Sequence, residues 1–164
     1  MTALRYQHLL GRTFHHGTAD CLGLARDFYR DNFGIDIPNY ARPTNWWDHG
    51  LNLYAECFYD NGFRPLTCHP SEWQPGDGVL MAIRSRVANH SGIFVENGKL
   101  LHHMVGCLSM VDDYRGLWRN ATLAVLRHKD VVVEKPKPQT LDFMEFLPND
   151  LRRKFAAAVP VARA

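Results

Sequence analysis

The sequence lacks the features that would point to a nucleic acid or a membrane as partner. Its formal net charge is only +2, which gives no electrostatic reason to expect binding to a polyanion. No apolar run approaches the length that crosses a bilayer, and residues 1–10 contain no segment typical of a signal peptide. We therefore expect no nucleic-acid binding and no membrane span.

Closely spaced cysteine pairs are absent as well. No C-x-x-C motif occurs, which disfavours a zinc ribbon or a redox dithiol, and the chain's cysteines are scattered at Cys21, Cys57, Cys68 and Cys107. Two disulfides are numerically possible. Because nothing indicates export, we instead expect synthesis in a reducing cytoplasm and free thiols.

A metal or cofactor site has little support. The histidine-rich positions offer imidazoles without carboxylate or cysteine partners at ligand spacing, and the candidates for such a site are His15, His16, His102 and His103. We expect neither a metal nor a cofactor.

What remains is a domain of ordinary composition. The 164 residues are 46% apolar and 22% charged, which suits one globular domain. Apolar spacing predicts helices over 21–32 and 51–61, each ended by a glycine. Residues 63–71 are expected to form a strand or an extended link. Further strands are expected, with a hairpin turn at Asn97-Gly98, over residues 78–83, 90–96, 99–104, 108–111 and 122–127. Helices followed by an antiparallel meander predict an α+β fold.

The composition changes near Lys129. A valine run leads into Glu134-Lys135-Pro136-Lys137-Pro138, which is typical of a linker. A short basic helix is predicted near the end, over 151–159. We therefore predict a main domain over 1–128 and a C-terminal extension over 129–164, which is either a docking arm or a frayed terminus.

The stretch with the most chemical meaning is Asp20-Cys21-Leu22-Gly23-Leu24-Ala25. Thr18 or Asp20 can cap the helix that begins there. A cysteine in a first helical turn lies where unpaired N–H groups and the helix dipole favour the thiolate, which is the nucleophilic form. A buried, inert thiol is the alternative.

Two histidines are spaced to serve such a nucleophile. His90 begins a predicted strand and His102 lies on its partner strand, offset so that a diagonal contact or a bulge would join the two rings. Alternation places His102 and His103 on opposite faces, and we predict that His102 points inward and His103 outward. His90 would then be the base and His102 the residue that orients it. Two ordinary polar residues of a half-exposed sheet are the alternative.

Trp46 and Trp47 allow two interpretations. Indole rings can line a substrate groove, which makes both residues candidates for substrate binding. Alternatively they fasten the second helix to the core, and we favour this second interpretation.

Three motifs in the right order resemble the NlpC-type cysteine peptidases. They are Asp-Cys-x-Gly-Leu at 20–24, Gln-Pro-Gly-Asp at 74–77, and His-x-Gly-Ile-Phe-Val with Asn-Gly-Lys-Leu-Leu-His over 90–102. The resemblance covers residues 11–127. It implies a papain-like fold, with N-terminal helices packed on a central antiparallel sheet. It also implies a triad of Cys21, His90 and His102 that hydrolyses amide bonds in peptidoglycan stem peptides.

A narrower resemblance is to the phage tail-assembly members of that family. It rests on Gly11-Arg12-x-Phe14-x-His16-Gly17 and on Trp46-Trp47, among other positions. It implies a place at the virion tail tip after synthesis in the host cytoplasm, or in a bacterial cytoplasm if a prophage encodes the chain. Other tail-tip proteins are the expected partners. A structural tail-tip component with an idle triad is the alternative function.

The sequence departs from the family pattern near the nucleophile. Leu22 stands where serine is frequent, and no tyrosine lies between Gly11 and Asp20, where many cell-wall members place one beside the oxyanion site. His16 is the candidate replacement. The predicted substrate-binding residues are therefore Asp20, His16, Trp46 and Trp47.

Overall fold

The structure, a computed structural model, describes residues 4–132 together with Pro148 and Leu151. Six strands form one antiparallel sheet in the order β1-β6-β2-β3-β4-β5. The strands are β1 (Phe63–Pro65), β2 (Gly78–Met81), β3 (His90–Phe94), β4 (Lys99–His102), β5 (Met110–Asp113) and β6 (Thr122–His128). Strands β2 to β5 form the predicted meander, and β6 returns to lie between β1 and β2.

Three α-helices accompany the sheet: α1 (Cys21–Phe33), α2 (Leu53–Asp60) and α3 (Leu117–Ala121). On one face, α1 and α2 pack on a core that includes Ile93 and Leu101. On the opposite face, Phe94 and Leu100 pack with Trp73 and Trp118, and Trp118 belongs to α3. Both faces are therefore covered, and the predicted α+β architecture is confirmed.

Helix α1 begins and ends as its sequence predicts. The Asp20 side chain accepts a hydrogen bond from the Gly23 amide at 2.9 Å, which makes Asp20 the N-cap. Gly34 closes the other end with a φ of 67°, a left-handed conformation that favours glycine. Cys21 is consequently the first residue of the helix.

Some predicted elements differ from the structure. The strand or extended link expected over 63–71 contains a strand of only three residues, because Pro65 ends it and Pro70 starts a 3-10 turn over Pro70–Glu72. The turn expected at Asn97-Gly98 is a 3-10 turn over Glu96–Gly98. Helix α3 was not predicted, since five residues are too few to show a helical period.

Trp46 belongs to the core and not to a groove. It is fully buried, and its ring centroid lies 4.9 Å from that of Tyr54 on α2. These contacts support the interpretation that Trp46 fastens α2 to the core, and its assignment to substrate binding stays a prediction. Trp47 is half-buried against the same core.

The prediction that His103 points outward is wrong. His102 and His103 are each only 1% exposed. They leave opposite faces of the chain, but Phe14 covers His103 with its ring centroid 5.2 Å away. Alternation correctly separated the two side chains, but both of the faces are buried.

The chain stays with the main domain slightly beyond the predicted boundary at residue 128. Val131 is buried in the core on the α1 side. Apart from residues 129–132, Pro148 and Leu151, the predicted extension over 129–164 lies outside the described residues and stays a prediction. In the part that the structure describes, no helix is both long enough and apolar enough to cross a membrane.

Candidate active site

The sulfur of Cys21 lies at the start of α1 and faces a tyrosine from α2. Its Sγ donates a hydrogen bond to Oη of Tyr54 at 3.1 Å, and both residues are almost fully buried. Within residues 4–132, no hydrogen bond joins the sulfur to His90. Tyr54 was not singled out in the sequence analysis. A buried tyrosine hydroxyl usually needs a polar partner, and that was the available signal.

The loop before Cys21 presses closely on the first helical turn. A Cβ on Gly23 would collide with the carbonyl oxygen of Thr18. The glycine two positions after Cys21 is thus required by close backbone approach, which gives a physical reason for the Asp-Cys-x-Gly motif.

Asp20 is held by a buried ion pair. Arg42 donates from Nε to Oδ2 at 3.0 Å, and its Nη2 lies 2.9 Å from Oδ2 and 3.1 Å from Oδ1. The Asp20 carboxylate also accepts from the amides of Gly17 and Gly23. These four donors occupy the carboxylate, and Asp20 is 1% exposed. The side chain shapes the start of α1, and its predicted role in substrate binding stays a prediction.

His16 contacts the backbone of Arg42 and not the sulfur of Cys21. Its Nε2 lies 2.8 Å from the carbonyl oxygen of Arg42, so the exposed imidazole ties the loop before α1 to the segment that carries Arg42. The polar side-chain group beside the sulfur is the hydroxyl of Tyr54, whereas the His16 ring contacts the backbone of Arg42.

The two predicted histidines lie in contact. Nε2 of His90 is 3.3 Å from Nδ1 of His102. Strand register pairs Gly92 with His102, so the two histidines are diagonal neighbours on one face, as expected. A Cβ on Gly92 would lie 2.8 Å from Cδ1 of Leu100, which shows how closely the two strands approach here.

Two residues that sequence reasoning missed extend this contact. Nε2 of His102 lies 3.2 Å from Oδ2 of Asp112 on β5. The indole N–H of Trp118 donates to the same oxygen at 3.2 Å, and its ring centroid lies 4.2 Å from that of His102. The result is a continuous series of polar contacts from His90 to Trp118.

Burial keeps the Cys21 thiol and the His90 imidazole neutral in the resting state. It raises the pKa of the Cys21 thiol, and the Asp20 carboxylate raises it further, whereas Tyr54 and Ser91 lower it. Burial, helped by His102 and His103, lowers the pKa of His90 to about 3. At neutral pH the site therefore holds a thiol and an uncharged imidazole instead of an ion pair.

The described residues include all four cysteines and the histidines that were considered as metal ligands. All four cysteines are free thiols, as expected. Within the described ranges, no three histidine, cysteine or acidic side chains converge in a way that could hold a metal ion.

Comparison with known proteins places the chain in a family. The model of the NlpC/P60 family matches residues 11–127, which include every element of the site. The chain belongs to the NlpC/P60 family. The predicted resemblance is thereby confirmed.

The curated relatives lie in the phage tail branch. The chain is 38% identical over 125 residues to Tail tip assembly protein K of Escherichia phage N15, covering 75% of this chain and 50% of that protein. It is 38% identical over 122 residues to the protein of the same name from Escherichia phage lambda, covering 74% of this chain and 60% of that protein. The chain thus spans half to three-fifths of the length of these relatives.

Solved structures show the same fold at low sequence identity. An NLP/P60-family protein of Staphylococcus aureus, described as similar to lipoprotein, has a TM-score of 0.53 and 21% identity, covering 74% of this chain and 38% of that one. NlpC1 from Trichomonas vaginalis has a TM-score of 0.52 and 17% identity, covering 74% and 40%. These similarities confirm the papain-like NlpC-type fold.

Proposed function

We propose that the protein is a cysteine peptidase of a phage tail tip that hydrolyses amide bonds in peptidoglycan stem peptides. Cys21 is the nucleophile, His90 the general base, and His102 orients His90. The observation that carries this proposal is the 3.3 Å contact between the two buried imidazoles. The chain's membership of the NlpC/P60 family supports the substrate class, and its similarity to two tail tip assembly proteins supports the location.

The first half of the reaction forms a thioester. His90 takes the proton of the Cys21 thiol as the sulfur attacks the amide carbonyl carbon. The oxyanion that forms lies near the N–H groups of Cys21 and Leu22, which have no acceptor within the helix because they belong to its first turn. When the sulfur leaves its resting contact, the hydroxyl of Tyr54 becomes a third donor. The carbon–nitrogen bond then breaks, and the leaving amine takes the proton from His90.

The second half returns the enzyme to its starting state. His90 takes a proton from water as the water oxygen attacks the thioester carbonyl. The carbon–sulfur bond breaks, the sulfur regains a proton from His90, and the carboxylic acid product leaves. The resting thiol and imidazole are both neutral, so the proton is transferred only during the reaction. The sulfur first moves from Tyr54 toward His90 when substrate binds.

The proposal is tested by incubating purified peptidoglycan with the protein and its variants. We expect soluble fragments from the parent, none from Cys21→Ala or His90→Ala, and partial release from His102→Asn. Cys107→Ala is the matched control, because Cys107 is an exposed free thiol, and it should act like the parent. Fragment release by Cys21→Ala would overturn the assignment.

A second function, a non-catalytic tail-tip component, is favoured by a different observation. Cys21, His90 and His102 are at most 4% exposed, and the sulfur is bonded to Tyr54. Under this function, other tail proteins dock on the fold and the triad is idle. Tail assembly with Cys21→Ala separates the two functions. Normal tails with lost hydrolysis support the peptidase, whereas normal tails from a parent protein that never hydrolyses peptidoglycan support the structural component.

A further inference from the structure

Asp112 ends the series of polar contacts that begins at His90. Its Oδ2 lies 3.2 Å from Nε2 of His102 and accepts from the Trp118 indole N–H at the same distance. The Asp112 side chain is 38% exposed, whereas His102 is 1% exposed. A carboxylate at the protein surface thus reaches a fully buried imidazole.

The donors and acceptors along this series are determined by Asp112. A carboxylate only accepts hydrogen bonds, so Nε2 of His102 must carry the hydrogen. In a neutral imidazole the other nitrogen is then an acceptor, and burial lowers the pKa of His102. Nδ1 of His102 therefore accepts from Nε2 of His90, whose remaining nitrogen, Nδ1, has a free lone pair.

We infer that Asp112 is a positioning residue that fixes the Nε2–H tautomer of both His102 and His90. This leaves Nδ1 of His90 as the nitrogen that takes the thiol proton. The tautomers follow from the contacts alone. Their effect on hydrolysis rests on the proposed peptidase function.

The neighbouring residue provides a matched control. Asp113 has a side chain 45% exposed, close to the exposure of Asp112, but it pairs with Lys99 and Arg115 at the surface. The two aspartates therefore share strand, exposure and charge, and they differ in whether they contact an imidazole.

The test is long-range proton–nitrogen correlation spectroscopy of the full chain labelled with 15N-histidine, which reports which ring nitrogen carries hydrogen. His90→Gln and His102→Gln assign the two relevant rings. In the parent, both rings should show the Nε2–H pattern. In Asp112→Ala the acceptor is lost, and the His102 ring should shift to a mixture of tautomers. Asp112→Asn keeps a carbonyl oxygen that can accept from His102 and Trp118, so it should restore the parent pattern.

Activity gives a second readout. We expect kcat to fall on the order of tenfold in Asp112→Ala with KM retained, since the wrong tautomer removes the base and not the substrate contacts. Asp112→Asn and Asp113→Ala should remain close to the parent. An Nδ1–H pattern for either ring in the parent overturns the inference, as does an unchanged His102 pattern in Asp112→Ala. If the tautomers respond as expected but the parent hydrolyses nothing, the proposed function fails and the positioning role stands.

Discussion

Two carboxylates support the two halves of the candidate active site in different ways. Asp20, beside Cys21, is 1% exposed and paired with a fully buried Arg42 side chain. Asp112, at the far end of the imidazoles, is 38% exposed and has an imidazole and an indole as partners. Asp20 caps the helix that begins with Cys21. Asp112 instead contacts His102, which in turn contacts His90.

Because the two carboxylates differ in burial, substitutions around Asp20 should change the stability of the fold, whereas substitution of Asp112 should change the imidazoles. A buried charge that loses its partner stays desolvated, so damage at Asp20 affects the whole fold. A half-exposed carboxylate can be removed with little desolvation penalty, so damage at Asp112 should affect the imidazoles selectively. Substitutions around Cys21 and Asp20 should therefore lower the free energy of unfolding. Substitution of Asp112 should instead change the spectra of the imidazoles and the rate of hydrolysis.

The largest effect is expected from Arg42→Met, which leaves Asp20 unpaired in the interior. We expect the free energy of unfolding to fall by about 3–5 kcal/mol, measured by urea denaturation. Arg12→Met is the control, because the Arg12–Asp27 pair is partly exposed, and it should lose no more than about 1 kcal/mol. Equal losses in the two variants would show that burial does not distinguish the pairs.

The pH dependence of stability tests the buried imidazole half. The folded-state pKa of His90 is about 3, well below the ordinary value near 6.5 for histidine. As pH falls below about 6.5, the unfolded chain gains a proton that the folded chain does not, so stability is full above that pH and declines below it. One such histidine contributes a slope of about 1.4 kcal/mol per pH unit.

This slope should be reduced in His90→Gln when urea denaturation is repeated between pH 6.5 and pH 4.5. His49→Gln, at an exposed position, should leave the slope as in the parent. If His90→Gln unfolds with the parent's pH dependence, His90 is not held neutral by burial.

The smallest effect is expected from Tyr54→Phe, which removes the hydroxyl bonded to the sulfur. Because that hydrogen bond lowers the pKa of Cys21, its loss should raise the pKa and slow alkylation by iodoacetamide about threefold to tenfold at pH 8. Mass spectrometry of the peptides distinguishes Cys21 from the other thiols.

Tyr29→Phe provides the control for Tyr54→Phe. Tyr29 is a buried tyrosine that donates to the Gly76 carbonyl, and it lies eight residues along α1 from Cys21, roughly 12 Å by helical rise. In Tyr29→Phe, Cys21 should therefore be alkylated at the same rate as in the parent. An equally slow reaction in this variant would show that the effect does not depend on the hydroxyl of Tyr54.

The sequence predicted those parts of the site that depend on local spacing. The cap at Asp20, the stop at Gly34 and the diagonal contact of His90 with His102 follow from helix and strand periods. Tyr54, Arg42 and Asp112 were missed because each reaches the site across the fold from another element. Asp112 and Trp118 lie on an edge strand and a five-residue helix, which are too short to carry a pattern that predicts their neighbours.

The most direct measurement of the central claim is mass spectrometry of fragments released from defined muropeptides by the parent and by Cys21→Ala. We expect the parent to cleave a stem-peptide amide bond, with one water added across it, and Cys21→Ala to leave the muropeptide intact. Intact muropeptide with the parent, or the same cleavage with Cys21→Ala, would contradict the central claim.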